Sequence, residues 1–273
     1  MKRIWIILVR QGLLILLCLI SLYPLWFVVQ TALKTPAAYA ADPTGLPVAP
    51  TLGNFLALFS VMPFGRWTLN SVLVSASAVG AATLIAMFAA YAVAFGRFFG
   101  RRGFFNLNIT LMALPPVAIV VPMFTFMVQA GLINTLPSVI LAYTALLIPF
   151  SVFFFVNFFR EFPPELIEAA TIDGASHTRI LFRIVMPLSV ASTATLVIVN
   201  VIWVWNELLF ALVFLQNNAE RTLMAGLALF QGRYSTNEPL VMAGAFLSIL
   251  PLVILYLLSQ SFFVRGMTAG IGK

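Results

Sequence analysis

Long uncharged stretches separated by short polar islands set the pattern of this chain. Residues 11–33 contain no Asp, Glu, Lys or Arg over 23 positions, enough for the roughly 20 residues that a membrane-crossing helix needs. The stretch is far longer than the roughly 7–15 residues of a signal-peptide core. It is therefore read as a retained span, although Ala38-Tyr39-Ala40 imitates a cleavage site. Residues 67–95 predict a second span, rich in small residues (Ser71, Ser75, Gly80, Ala81, Ala82, Ala89, Ala90) that let helices approach closely in lipid. Residues 104–159 run for 56 positions without a charge, twice what one span uses, so the chain must double back. Gln129, Gly131, Asn134 and Pro137 mark the turn and divide the stretch into spans at about 104–127 and 137–159. Pro115, Pro116 and Pro122 predict a kink in the former, because each proline removes a backbone donor that neighbours must replace. Spans at 189–214 and 239–264 complete a set of six. Residues 34–66 read as a loop with a short amphipathic piece at 54–59. Residues 215–238 form a second large loop, in which 223–230 has the length of a short helix or an inward tuck.

The longest charge-rich island, residues 160–187, interrupts this pattern. It carries Glu161, Glu165, Glu168, Asp173, Arg179, Arg183 and the chain's one histidine, His177. Pro163 and Pro164 suit a helix start, where a missing N–H costs nothing. Leu166, Ile167, Ala169 and Ala170 give that helix an apolar side, and Gly174 suits a left-handed stop. Ser176 suits the N-cap of a second helix, whose Ile180, Leu181, Ile184 and Val185 recur at helical spacing. The prediction is helix, sharp turn, helix: a polar knob outside the hydrocarbon that another protein can grip.

Composition places the chain in the same class. It has 273 residues, 62% hydrophobic and 8% charged, against roughly 25% charged in soluble domains. A net charge of +7 raises the question of nucleic acid. With the amino end inside, however, eleven of the fifteen Lys and Arg fall on the inner side and four (Lys34, Arg66, Arg221, Arg233) outside. That asymmetry serves topology and anionic headgroups rather than nucleic acid. It also places the knob on the inner side. One cysteine, Cys18, excludes an internal disulfide framework. One His and few carboxylates give no metal cluster and no nucleophile–base pair, so no catalytic residue is assigned. No G-x-x-x-x-G-K-[ST] phosphate loop occurs, so any ATP that drives this molecule binds another polypeptide.

One acid lies in an otherwise apolar stretch. Glu207 falls on a helical face with Thr193 and Asn200, each seven positions apart, about 27 Å beyond Ser189 at 1.5 Å per residue. Two readings stand for it: a solute-path group with Asn206, or an interfacial or interhelical acid.

The island carries a resemblance. Glu168-Ala169-Ala170, three residues, Gly174, nine residues, Ile184, one residue and Met186-Pro187 resemble the EAA loop of ABC importer permeases, with Met186 in place of its leucine. Asn70-Ser71, Ala90-Tyr91-Ala92, Asp173-Gly174-Ala175-Ser176, Trp205-Asn206-Glu207 and the segment from Val264 to Gly270 resemble the carbohydrate-importer branch. The chain is thus similar to the second permease of maltose-type sugar importers. The resemblance implies an all-α polytopic membrane protein: one type I transmembrane domain over 1–273, six spans, both termini in the cytoplasm and cytoplasmic coupling helices. It implies no enzyme activity and no cofactor in this chain, with ATP and Mg on separate subunits. The implied partners are a homologous second permease, two ABC ATPase subunits and an extracytoplasmic sugar-binding protein in the cytoplasmic membrane. The implied ATPase-coupling residues are Glu168, Ala169, Ala170, Asp173, Gly174, Ile184 and Pro187. Asn200, Asn206 and Glu207 are candidates for the solute path, and Arg221, Gln231 and Arg233 for the loop approaching the binding protein. Arg265 and Gly266 lie in the tail implied to reach the ATPases. The rival readings are an ABC permease for another nutrient and a self-sufficient secondary carrier or channel.

Overall fold

The computed structural model describes residues 2–233 and 237–269, with side chains outside 2–6, 8, 231–233 and 261–269. All regular structure among the described residues is helical. The chain divides into two compact units, Met1–Arg66 with Ala225–Pro251, and Trp67–Met224 with Leu252–Lys273.

The first unit begins with α1 (Lys2–Ala32). No residue in its apolar window is buried by this chain; only its carboxyl end, from Gln30 onward, is. Residues 34–66, expected to be mostly loop, contain two helices. Thr35 caps α2 (Pro36–Ala41), its Oγ1 accepting from Ala38 N–H at 3.2 Å with Pro36 in the first turn. α3 (Gly53–Val61) follows. A polar knot ties these pieces to the end of α1. Buried Asn54 donates through Nδ2 to the Ala32 and Lys34 carbonyls, both at 2.7 Å. Lys34, 2% exposed, donates its ammonium to the carbonyls of Asp42 (2.8 Å) and Pro43 (3.1 Å). Asp42 accepts from Gly45 N–H at 2.8 Å, and that bond holds its carboxyl below the usual range. Most of α13 (Leu223–Arg233) and α14 (Glu238–Ala269) as far as Pro251 supply the rest. A Cβ at Gly244 would come within 2.7 Å of Leu227 Cδ2, so a larger residue there would make the Leu227 side chain move.

The second unit takes in most of α4 (Phe64–Phe95), followed by α5 (Arg101–Met112), α6 (Pro116–Gln129) and α7 (Leu136–Phe159). The expected span at 104–127 is not one kinked helix. α5 and α6 meet at 101°, because Pro115, which precedes another proline, is driven to extended backbone (ψ 132°). The turn at 130–135 follows the expected residues. Gly131 and Asn134 both have left-handed backbone, at φ 68° and 63°. The knob comprises α8 (Pro164–Ile172), α9 (His177–Ile180), a π turn (Leu181–Val185) and α10 (Met186–Leu188). The expected span at 189–214 is also divided, into α11 (Val190–Asn206) and α12 (Leu209–Phe214). Among the described residues four helices are long and apolar enough to cross a membrane, and up to six spans result if each of two bent pairs, Arg101–Met112 with Pro116–Gln129 and His177–Leu188 with Val190–Asn206, counts as one. Two apolar clusters fill this unit. One gathers Ala78, Ala82, Val139, Tyr143, Phe210 and Phe214. The other gathers Ala90, Phe155, Phe159, Ile180, Leu181 and Val185.

Candidate functional site

The knob is built from two helix ends placed back to back. α8 stops at Asp173, and Gly174 turns left-handed at φ 77°. Ala175 N–H then reaches back to the Ala170 carbonyl, and Gly174 N–H to the Thr171 carbonyl, both at 3.0 Å. These paired bonds satisfy carbonyls that a helix end leaves bare. The next residue, Ser176, starts α9 by accepting Arg179 N–H at 3.3 Å. Asp173-Gly174-Ala175-Ser176 therefore reads residue by residue as last turn, left-handed stop, return and new cap. Ala170 is the carbonyl partner in this return, and Ala170 and Ala175 both pack on the apolar cluster that contains Phe155, Phe159 and Ile180.

One side of the knob is open. Glu168, Ala169, Asp173 and Gly174 are exposed, and Ile172 at the tip is 85% exposed. A large apolar side chain thus stands beside two carboxylates at the loop apex. The opposite side is anchored. Tyr91 of α4 hydrogen-bonds His177 Nδ1 at 3.3 Å, and Phe158 and Phe159 of α7 pack on Phe162 at 5.3 and 6.0 Å between ring centroids. Ile184 is half-buried in the π turn and Pro187 is exposed. Proline lacks the donor that an α-turn requires, and the backbone widens into the π turn just before it. The Val185 carbonyl then takes both Ser189 N–H (3.0 Å) and Ser189 Oγ–H (2.5 Å). Beyond this joint α11 departs at 74°. The knob is thus fastened to α4, α7 and α11.

The three candidate solute-path residues are not brought together. Asn200 is buried, donates to Ser151 Oγ at 3.1 Å, and lines an otherwise apolar cavity of about 520 Å³ with Pro116, Met123, Leu147, Phe150 and Trp203. Asn206 is exposed and turns its amide onto the Ile202 carbonyl at 2.7 Å. Glu207 does not share a helical face with Thr193 and Asn200, because α11 ends before it and Glu207 is extended (ψ 128°). Its carboxylate accepts from Leu209 N–H (2.8 Å), Phe210 N–H (3.1 and 3.2 Å) and Ala211 N–H (3.4 Å). Tyr143, fully buried, donates its hydroxyl to the same group at 2.5 Å. Glu207 caps α12 and ties it to α7. Tyr143 and Ser151 were not singled out in the sequence, where their signal is only that of polar atoms inside an apolar span.

At the other end of α7, Arg221 donates to Asn218 Oδ1 (3.0 Å) and the Gln216 carbonyl (2.9 Å). The side chains of Gln231, Arg233, Arg265 and Gly266 lie outside the described residues. Among the described residues no cluster of three His, Cys, Asp or Glu is placed to hold a metal.

Comparison with known proteins gives a consistent result. Residues 82–269 match the family described as "Binding-protein-dependent transport system inner membrane component". The sulfoquinovosyl glycerol transport system permease protein SmoH of Agrobacterium fabrum is 36% identical over 92% of this chain and 88% of its own. The melibiose/raffinose/stachyose import permease protein MelC of Bacillus subtilis is 33% identical over 92% and 91%. The trehalose/maltose transport system permease protein MalG of Thermococcus litoralis is 33% identical over 95% and 94%. Among solved structures, a bacterial ABC transporter that imports the polysaccharide alginate contains a chain with TM-score 0.81 and 25% identity, covering 96% of this chain and 97% of that one.

Proposed function

Since the chain belongs to the family of binding-protein-dependent transport system inner membrane components, we propose that it is one permease subunit of an ATP-driven importer of carbohydrate. Three relatives that match over nine-tenths of its length are named for sugar and glycoside transport, and their range supports a sugar, oligosaccharide or polyol as cargo. The whole chain acts as one transmembrane domain in the cytoplasmic membrane, with both termini and the knob inside, as the Lys and Arg asymmetry requires. A homologous permease completes the path. Two ATPase subunits hold ATP and Mg, and an extracytoplasmic binding protein delivers solute to the outer loops.

The observation that carries this reading is the knob: an exposed tip at Glu168, Ile172, Asp173 and Gly174 on a base locked to three spans. A cleft on the ATPase would cover Ile172 and pair with the carboxylates, leaving Gly174 as the close-approach point. When two ATPases close around ATP, displacement of α8 passes through Tyr91–His177 to α4. It passes through the Phe158–Phe162 contacts to α7 and through the Pro187 joint to α11. Shifting such an equilibrium from 1:99 to 99:1 requires about 5.5 kcal/mol, so the docked tip must be held firmly. Among the candidate solute residues, Asn200 retains that role, because it alone lines the cavity. The tail residues Arg265 and Gly266 are placed toward the ATPases.

A second reading keeps the mechanism and changes the cargo. A Synechocystis relative, 37% identical over 81% of this chain, is named for uptake of osmoprotective compounds. A self-sufficient carrier fits less well, because the intramembrane carboxylate that ion coupling calls for already uses both oxygens on α12 and Tyr143. The test is to purify the tagged chain with its companions and measure uptake and ATP hydrolysis for Gly174→Asp and Glu168→Lys. Loss of uptake with normal insertion is expected. Wild-type coupling in Gly174→Asp would refute the docking role, and solute accumulation by this chain alone would refute the ABC reading.

A further inference from the structure

The turn between α6 and α7 holds a residue that the transport reading leaves without a role. Asn134 is the one non-glycine among the described residues with left-handed backbone, at φ 63°. Its Oδ1 accepts two successive amides of a distant loop, Gln216 N–H at 2.7 Å and Asn217 N–H at 2.9 Å. Its own N–H donates to the Phe214 carbonyl at 2.9 Å. One residue therefore closes the carboxyl end of α12 and sets the exit path of the chain that follows. From there the segment 216–223 is held on its other side as well. Trp67 Nε1–H donates to the Asn218 carbonyl (2.7 Å), and Asn70 Nδ2 to the carbonyls of Ala219 (3.0 Å) and Arg221 (2.9 Å). Ser71 Oγ accepts Leu223 N–H (2.8 Å). The backbone is thus fixed, while Gln216, Asn217 and Asn218 stay exposed. α7 runs 24 residues from this clasp to the knob, about 36 Å at 1.5 Å per residue. The clasp and the knob therefore occupy opposite ends of one helix.

We infer that Asn134 is a positioning residue that presets segment 216–223 as a rigid amide-rich platform for the extracytoplasmic binding protein. This rests on the proposed importer function. Preorganisation removes the ordering cost of the loop at the moment of docking. Its loss then raises the concentration of binding protein required without changing the rate at saturation.

The test compares Asn134→Gly with Asn134→Asp in the purified transporter complex, reconstituted in nanodiscs. ATP hydrolysis is titrated with the solute-loaded binding protein that sustains uptake in the same host. Glycine accepts the left-handed backbone but removes the acceptor. Aspartate tolerates that backbone and keeps an acceptor for both amides. For Asn134→Gly the half-maximal binding-protein concentration is expected to rise about tenfold, the equivalent of one to two net hydrogen bonds, with basal and saturated rates unchanged. Asn134→Asp is expected to stay within about twofold of wild type. A half-maximal concentration unchanged in Asn134→Gly overturns the inference, as does an equal loss in Asn134→Asp. Absence of any stimulation in the wild type instead overturns the importer reading on which it rests.

Discussion

Replacing Glu207 by Gln separates a structural carboxylate from a solute-reading one. In the structure both oxygens are used, on three backbone amides and on Tyr143. A glutamine keeps one oxygen. If that oxygen stays on Leu209, the new amide NH₂ faces the N–H groups of Phe210 and Ala211, donor against donor, and Tyr143 must turn to accept. A hydrogen bond to a charged group is worth about 1.5–3 kcal/mol, and a negative charge at a helix start adds about 0.3–1 kcal/mol. Part of the first term returns through the reversed Tyr143 bond, so Glu207→Gln should cost about 2–3 kcal/mol. Tyr143→Phe should cost about 1–2 kcal/mol. The coupling between them should be about 1 kcal/mol, within the range of interhelical bonds in membranes. Thermal unfolding of the purified complex in detergent measures this, at about 2–4 °C per kcal/mol for a chain of this size. The midpoint should fall by roughly 5–10 °C in Glu207→Gln, while the solute concentration at half-maximal uptake stays that of wild type. An unchanged midpoint with a raised half-maximal solute concentration would show that the carboxylate faces the cargo, and the capping account would be wrong.

Three further outcomes follow from the first unit. Asn54→Ala leaves the Ala32 and Lys34 carbonyls bare in a buried site. It should lower stability by about 2–3 kcal/mol, seen as a lower unfolding midpoint and earlier proteolysis within 33–52. Gly45→Ala forces Asp42 aside, since a Cβ there would overlap its carboxylate; hydrogen exchange at Thr44 and Gly45 should speed up. The Asp42 carboxyl titrates below its ordinary 3.8, first because Gly45 N–H binds the charged form. Its contribution to the turn is therefore complete above pH 3.8 and fades as pH falls through the lowered value. Protection factors of the Thr44 and Gly45 amides, followed from pH 6 to pH 3, should hold until about pH 4 and then decline; a decline already complete by pH 5 would contradict this.

Local rules read from the sequence carried much of the knob. Gly174 stops α8 left-handed and Ser176 caps α9, because each acts within four residues of itself. The α6–α7 turn was legible for the same reason, through Gly131 and Asn134. The breaks within two spans were not. Pro115-Pro116 signalled a kink, but a proline pair does not by itself say that the backbone turns extended and opens to 101° rather than bending within one helix. Glu207 was assigned to a helical face because spacing alone cannot show a helix ending one residue earlier. Nor could it show that the carboxylate turns to Tyr143, 64 positions away. The helix after Thr35-Pro36 had an available signal, a capping threonine followed by a first-turn proline. The burial of Lys34 had none, because its partners are backbone carbonyls that every residue carries.

At Gly174 an added Cβ would meet nothing of this polypeptide within 4 Å. The fold asks there only for a left-handed backbone, which glycine adopts freely and asparagine more readily than other residues. Any stricter intolerance at that position measures the fit of a neighbouring molecule. On the docking proposed above, genetic suppressors of a bulky replacement at 174 should accordingly arise in the gene for the ATPase, leaving the permease gene untouched.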